Sequence, residues 1–326
     1  MASQPTQSTR ARELYVDMTL SGHERAYYHS PDGRVFENEL GPAICYFPDG
    51  QQMISGSGDK TTRLWDMRAG KERKEARVVN EHGVHAVAVS RDGRWLITAC
   101  GGLTDPGEVK ACEWKTGIVK IFEGHPQGIS CIGISVNSKL LARGSWDGTT
   151  RIWSLDTGEL VGGSLDPRSN IVSAVRFSHN SKKFAVNLST GKCLEVWDIE
   201  TRKLDVSVGK YSSSAPWRGG LVICPPLFWT TQDRTIVAAF SFWNGDSNSD
   251  SYPTTIYEFD SLTLETIRVG APFKGHTCII LGLALSSDCT FPVSVSDDDT
   301  VKLWAFDSRQ LLASFHVQSL ESCPLP

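Results

Sequence analysis

His276, Ser294 and Asp298 are the residue types of a nucleophilic triad, in which a carboxylate orients an imidazole that deprotonates a hydroxyl. A second grouping, Gly-Ser-Gly-Asp-Lys-Thr at 56–61, faintly echoes a phosphate-binding loop, but the full glycine-to-Lys-Ser/Thr spacing is absent. The eight histidines show no H-x-H or H-x-x-x-H spacing and the nine cysteines form no C-x-x-C pair, so no metal-ligand set and no cofactor is expected. Asn187-Leu188-Ser189 is a formal glycosylation sequon, without meaning in a chain that carries no signal segment. The acidic run Asp297-Asp298-Asp299 reads most simply as a turn. The triad has a competing reading: an imidazole, a carboxylate and an indole N–H are costly to bury unless they satisfy one another. That reading depends on which elements carry them.

Those elements repeat. SGSGDKTTRLW at 55–65, RGSWDGTTRIW at 143–153 and SVSDDDTVKLW at 294–304 align without a gap. In each, an Asp stands six residues before a Trp: Asp59 and Trp65, Asp147 and Trp153, Asp298 and Trp304. His125 and His276, each in a Gly-His pair, stand 22 residues before Asp147 and Asp298. Fainter copies surround Trp114, Trp197 and Phe259. Every unit alternates short apolar-polar runs with polar turns, which is the pattern of antiparallel strands, four to a unit. Helical periodicity is missing throughout, so the chain reads as all-β.

With these repeats the sequence resembles the WD-repeat (WD40) family as a degenerate member, over about residues 39–315. RLWD at 63–66 and VWD at 196–198 match the family's unit ends, and the Gly-His pairs at 124–125 and 275–276 match its openings. The resemblance implies a β-propeller of four-stranded antiparallel blades around a central channel. Family repeats run ~40–45 residues; 326 residues spread over six blades give too long a unit, and over seven a unit closer to that length. Seven blades are therefore favoured, with six or an incomplete ring as the alternative. The seventh would use eroded strands in 15–39 and a closing strand from FHVQSL at 315–320. The domain plan is a flexible polar N-terminus over 1–12 and one propeller domain over 13–326.

The resemblance also implies that His, Ser/Thr, Asp and Trp form a hydrogen-bonded structural tetrad inside a blade. His276, Ser294, Asp298 and Trp304 supply all four members. The first unit offers Ser55, Asp59 and Trp65 with no visible His. The third offers His125, Asp147 and Trp153, with Arg143 in place of the hydroxyl, either paired to Asp147 or turned toward a ligand. Carried over by position, the family's partner-binding rim falls on His85, Ser130, Ser173 and Leu281 near the start of each unit. It also falls on Gly58, Trp146 and Asp297 just before each tetrad Asp. Trp146, in a tight acidic turn, reads as an interface anchor or as a ring packed on the next blade. Asp297 offers an acidic spot for a basic partner. Trp217 and Trp243, in the long loops of the fifth unit, are further candidates, because long loops on a rigid scaffold often carry binding.

Composition bounds the rest. The balance of 33 basic and 37 acidic residues gives a net charge of −4, which argues against nucleic acid as the main ligand. The densest basic run, KERKEAR at 71–77, is interrupted by Glu72 and Glu75. No apolar run reaches membrane-spanning length, and the first residues lack the apolar core of a secretory signal. Scattered cysteines, odd in number and never in a C-x-x-C pair, point to a reducing compartment, cytoplasm or nucleus. The expected function is a non-enzymatic interaction scaffold or adaptor, a monomeric ring that binds proteins or peptides. The alternatives are a propeller-type hydrolase or lyase with a central-channel site, and the repeat portion of a larger signalling receptor. The apolar runs HAVAV, ISCIGI, VSAVRF and ILGLAL, assigned to the channel, argue against the enzyme.

Overall fold

Polar turns cut the chain into short strands, and the strands associate with their neighbours in sequence. The computed structural model describes residues 23, 27–29, 35–37, 43–73, 77–78, 82–101, 106–165, 171–188, 191–209, 226–242, 252–267, 272–286 and 288–317. β1 (Tyr27–His29) and β2 (Val35–Glu37) form a two-stranded hairpin. The first blade contains β3 (Ala43–Tyr46), β4 (Gln52–Gly56) and β5 (Thr61–Asp66). Its outer strand comes in two pieces, β6 (Lys71–Glu72) and β7 (Arg77–Val78), both paired to β5. The second blade is β8 (Val84–Val89), β9 (Trp95–Cys100), β10 (Gly107–Glu113) and β11 (Val119–His125). The third is β12 (Ile129–Ile134), β13 (Leu140–Ser145), β14 (Thr150–Ser154) and β15 (Leu160–Leu165). The fourth is β16 (Val172–Phe177), β17 (Lys183–Leu188), β18 (Cys193–Asp198) and β19 (Leu204–Gly209). The fifth is β20 (Leu227–Trp229), β21 (Thr235–Phe240), β22 (Thr255–Asp260) and β23 (Phe273–Lys274). The sixth is β24 (Ile280–Leu285), β25 (Pro292–Ser296), β26 (Thr300–Trp304) and β27 (Leu311–His316).

Each blade is an antiparallel meander of chain-adjacent strands, and the six form the ring of a β-propeller. The first strands of successive blades are mutual neighbours, β3 with β8, β8 with β12, β12 with β16, β16 with β20 and β20 with β24, so these strands converge on the axis. The turn after each first strand is closed by a residue in the left-handed region. These are Gly50, Gly93, Ser138, Ser181, Asp233 and Cys289, with φ of 65°, 69°, 59°, 57°, 58° and 60°. Each donates its N–H to the residue three before it. The repeat is thus more regular in backbone than in sequence, because a short turn between antiparallel strands needs one positive φ whatever the side chain.

The core lies between blades. Trp95, Ile97, Phe122, Leu141 and Trp153 join the second to the third. Ala142, Val175, Phe184 and Val186 join the third to the fourth. Two glycines permit the closest approaches. A Cβ on Gly56 would stand 2.5 Å from Val84 of the next blade, and one on Gly144 would stand 2.3 Å from Val172. Between the fifth and sixth blades, the Arg309 guanidinium binds the Glu258 carboxylate and stacks on Phe273 and Phe306, 4.6 and 4.5 Å from the ring centres.

The expected seventh blade is corrected to six. Of its assigned strands, 27–29 and 35–37 make only the separate hairpin. Phe315 and His316 complete the sixth blade, where they pair with Val301 and Thr300. They are thereby the outer strand of an existing four-stranded sheet rather than part of a seventh; residues 318–320 lie outside the described residues. Trp114 is also displaced from its expected place. Cys112 pairs with Leu96 as Trp65 pairs with Met53, and Trp114 instead packs edge-on against Phe47 of the first blade.

The junction between the sixth and first blades differs from the other five. The sixth blade's inward face, toward the fifth, buries Ser294, Ser296, Thr300, Lys302 and Trp304. Its opposite face carries Gly282, Ala284, Val293, Val295, Val301, Leu303, Ala313 and Phe315, all half-buried or exposed. On the first blade, Ile44 and Tyr46 are 56% and 53% exposed.

Candidate interaction rim and the tetrads beneath it

In the sixth blade the four tetrad residues form one hydrogen-bonded chain. The Trp304 indole N–H donates to Ser294 Oγ at 2.9 Å, Ser294 Oγ lies 2.7 Å from His276 Nε2, and His276 Nδ1 lies 2.9 Å from Asp298 Oδ2. Ionised Asp298 can only accept, so a neutral His276 keeps its proton on Nδ1 and its Nε2 accepts from Ser294. Burial holds His276 below the usual histidine range, despite the opposing hydrogen bond from Asp298. Burial would raise Asp298, but hydrogen bonds from Thr300, the Thr277 backbone and His276 bring it down to about 2. The serine is consumed by two hydrogen bonds and faces the fifth blade, which is the geometry of a structural joint rather than of a nucleophile.

The first blade contains the same joint, completed by a residue absent from its expected set. His23 Nε2 lies 2.7 Å from Ser55 Oγ, His23 Nδ1 lies 2.9 Å from Asp59 Oδ2, and Trp65 donates to Ser55 at 2.8 Å. The signal was the Gly22-His23 pair, which repeats those at 124–125 and 275–276. It was hidden because 36 residues, not 22, separate this His from its Asp, with β1 and β2 falling in between.

The third blade rebuilds the joint without a hydroxyl. His125 Nδ1 lies 2.7 Å from Asp147 Oδ2. Arg143 is fully buried, lies flat over Trp153 at 3.7 Å from its ring centre, and donates to the carbonyls of Phe122 and Glu123 at 2.6 and 3.3 Å. Arg143 thus lies inside the blade, and among the described residues Asp147 is paired with His125 instead. Burial lowers the pKa of Arg143 to about 9. His125 Nε2, lacking the serine, is left with no partner. In the fourth blade a buried Glu195 accepts the Trp197 indole N–H at 2.9 Å instead.

Above these joints the rim is assembled by backbone. The turns between second and third strands bond to the start of a first strand: Val84 N–H to Ser57 O, Trp146 N–H to Gly128 O and Asp297 N–H to Ile279 O, at 2.9, 3.1 and 3.0 Å. Gly58, Trp146 and Asp297 are thereby set at the same end of the ring as His85, Ser130 and Leu281. Asp297 is exposed and accepts the Cys278 thiol at 3.4 Å, and Leu281 is 41% exposed. Gly58 and His85 are half-buried; burial lowers the pKa of His85, whose Nδ1 has no partner. Ser130 donates to Val172 O across the blade junction. Trp146 is half-buried, and its indole N–H is enclosed without a partner. Ser173 is fully buried, so it offers no rim surface. Trp217 and Trp243 lie outside the described residues. The rim residue not foreseen is Phe242, 42% exposed at the head of the fifth blade's long loop and edge-on to Tyr257 at 5.0 Å. Its signal was its place beside Trp243.

Comparison with known proteins agrees with this architecture. The chain matches the family "WD domain, G-beta repeat" over residues 42–66, 73–104, 117–154 and 267–305. It is 27% identical over 202 residues to "Eukaryotic translation initiation factor 3 subunit I" of Bombyx mori, covering 60% of this chain and 56% of that one. It is 30% identical over 145 residues to "Guanine nucleotide-binding protein subunit beta" of Oryza sativa subsp. indica, covering 42% and 37%. With "Transducin-like enhancer protein 2" of Mus musculus it shares 33% over 113 residues, 34% and 14% of the two chains. The matches to the initiation-factor and G-protein subunits thus span about half, or less, of those relatives' length.

Proposed function

The chain is a member of the WD-repeat family, and from that premise we propose that it is a non-catalytic scaffold that captures protein or peptide partners on the rim above its tetrads. The observation that carries this reading is the convergence, at one end of the ring, of exposed Leu281, Phe242 and Asp297 with half-buried Trp146 and His85. Apolar and aromatic anchors beside an acidic spot suit a partner with apolar side chains and a Lys or Arg. Triad-type residues are tied up in the joints, which supports a binding role over a hydrolytic one. Relatives named as subunits of an initiation factor and of a guanine nucleotide-binding protein support the same class of role. Action in the cytoplasm or nucleus, as a single ring, completes the reading.

The test is affinity capture from native cells with wild type, a Trp146→Ala/Asp297→Ala double variant and Phe242→Ala. Loss of a partner set in either variant, with unchanged thermal unfolding, is expected. Full retention in both would remove this rim as the site.

A further inference from the structure

The six innermost strands read AICY, VHAVAV, ISCIGI, VSAVRF, LFW and ILGLAL. They contain no Asp, Glu or Lys, and their one permanent charge is Arg176. Within its strand Arg176 is the exposed residue, while Val172, Ser173, Ala174, Val175 and Phe177 are buried. Arg176 is within electrostatic reach of Cys45 on β3, the first strand of the opposite blade, and of Cys131 on β12, which places its side chain on the channel. Its Nη1 donates to the carbonyls of Val175 and, across the blade junction, Ile132, at 2.9 and 3.3 Å. Those bonds fix the guanidinium and leave its second terminal nitrogen unengaged by them. Among the described residues its titratable neighbours are the Cys131 and Cys45 thiols, and no carboxylate is among them.

We propose that Arg176 makes the central channel a receptor for a small anion carrying a carboxylate or phosphate group. A guanidinium facing a channel whose innermost strands carry no other permanent charge attracts an anion, and its planar fork fits both of those groups. The thiols nearest it do not supply the negative charge. Burial pushes Cys131 up to about 11 and also raises Cys45, so both stay neutral. Surrounding protein lowers the pKa of Arg176 itself, from a value high enough that the charge persists. The site is separate from the rim, because Arg176 stands toward the other end of β16 from Ser173 and uses none of the rim residues.

The test is thermal unfolding of the full chain with inorganic phosphate and, separately, succinate, each at constant ionic strength made up with sodium chloride. Wild type is expected to gain midpoint temperature with at least one probe. Arg176→Met, which keeps the apolar stem, should bind roughly tenfold more weakly or worse, as loss of a charge-assisted contact implies. If Arg176→Met does not fold, Arg176→Lys replaces it, and loss of the fork is expected to weaken the response while keeping part of it. A response to phosphate alone, or to succinate alone, identifies which group the channel takes. A folded wild type that responds to neither probe beyond chloride overturns the proposal. So does a folded variant that responds as strongly as wild type.

Discussion

Ser294 shows how one hydroxyl can join two blades. It accepts from Trp304 and donates to His276, which in turn holds Asp298 at the rim. The titration behaviour follows from that arrangement. Burial holds His276 and His125 below their ordinary pKa, so the unfolded chain takes up protons near pH 6.5 that the folded chain refuses. Stability is expected to fall as pH drops below about 6.5. Asp298 and Asp147, both brought to about 2, add a second loss as pH falls from the ordinary carboxylate range toward 2. Urea midpoints measured from pH 8 to pH 3 should therefore decline in two stages, and a midpoint that rises on acidification would contradict the assignment. The residue types of this joint were legible because Ser, Asp and Trp keep fixed spacing along paired strands. His23 was not, since a partner reached through space needs no fixed spacing. Arg143 was equally opaque: nothing in the sequence says that a guanidinium will lie on Trp153.

Blades, as elements, depend on how near the next one can come. Gly144 lets β13 approach Val172 so closely that an added Cβ would overlap it and also stand 2.6 Å from Cys131. Gly144→Val is expected to destabilise by about 1–3 kcal/mol, the cost of overpacking a tight junction. Gly50→Ala, at an open turn position with positive φ and no atom within 4 Å, should lose less, through backbone strain alone. Equal losses in denaturant unfolding would show that the junction is looser than described. The strands themselves were readable from apolar alternation and from the turn residues. Blade number was not, because average repeat length cannot tell a hairpin such as β1–β2 from part of a blade. The outer strand of the first blade illustrates the same limit. KERKEAR reads as one exposed stretch, and its described residues reach β5 as two short pieces, Lys71–Arg73 and Arg77, with 74–76 outside the described residues.

Seen whole, the molecule is a ring of like units with one unlike junction. Five junctions bury apolar side chains between neighbouring first strands, whereas the sixth and first blades turn Val295, Ile44 and Tyr46 toward solvent. Local opening requires least energy where the fewest apolar contacts are lost. Amide exchange is therefore expected to be slowest in the third and fourth blades, faster in β24–β27, and fast in β3. Uniform protection across all six blades would show that the unlike junction is as tightly held as the rest.

Every blade is also made from one continuous stretch of chain, each strand pairing with the strand next to it in sequence. A ribosome thus releases a complete sheet before the next one begins. Most contacts a blade makes inside itself can form during synthesis, without waiting for distant residues to arrive. Assembly can proceed as a procession of neighbours, each new sheet templated on the face left by its predecessor. A substitution in one blade should then delay the blade that follows far more than the one that came before.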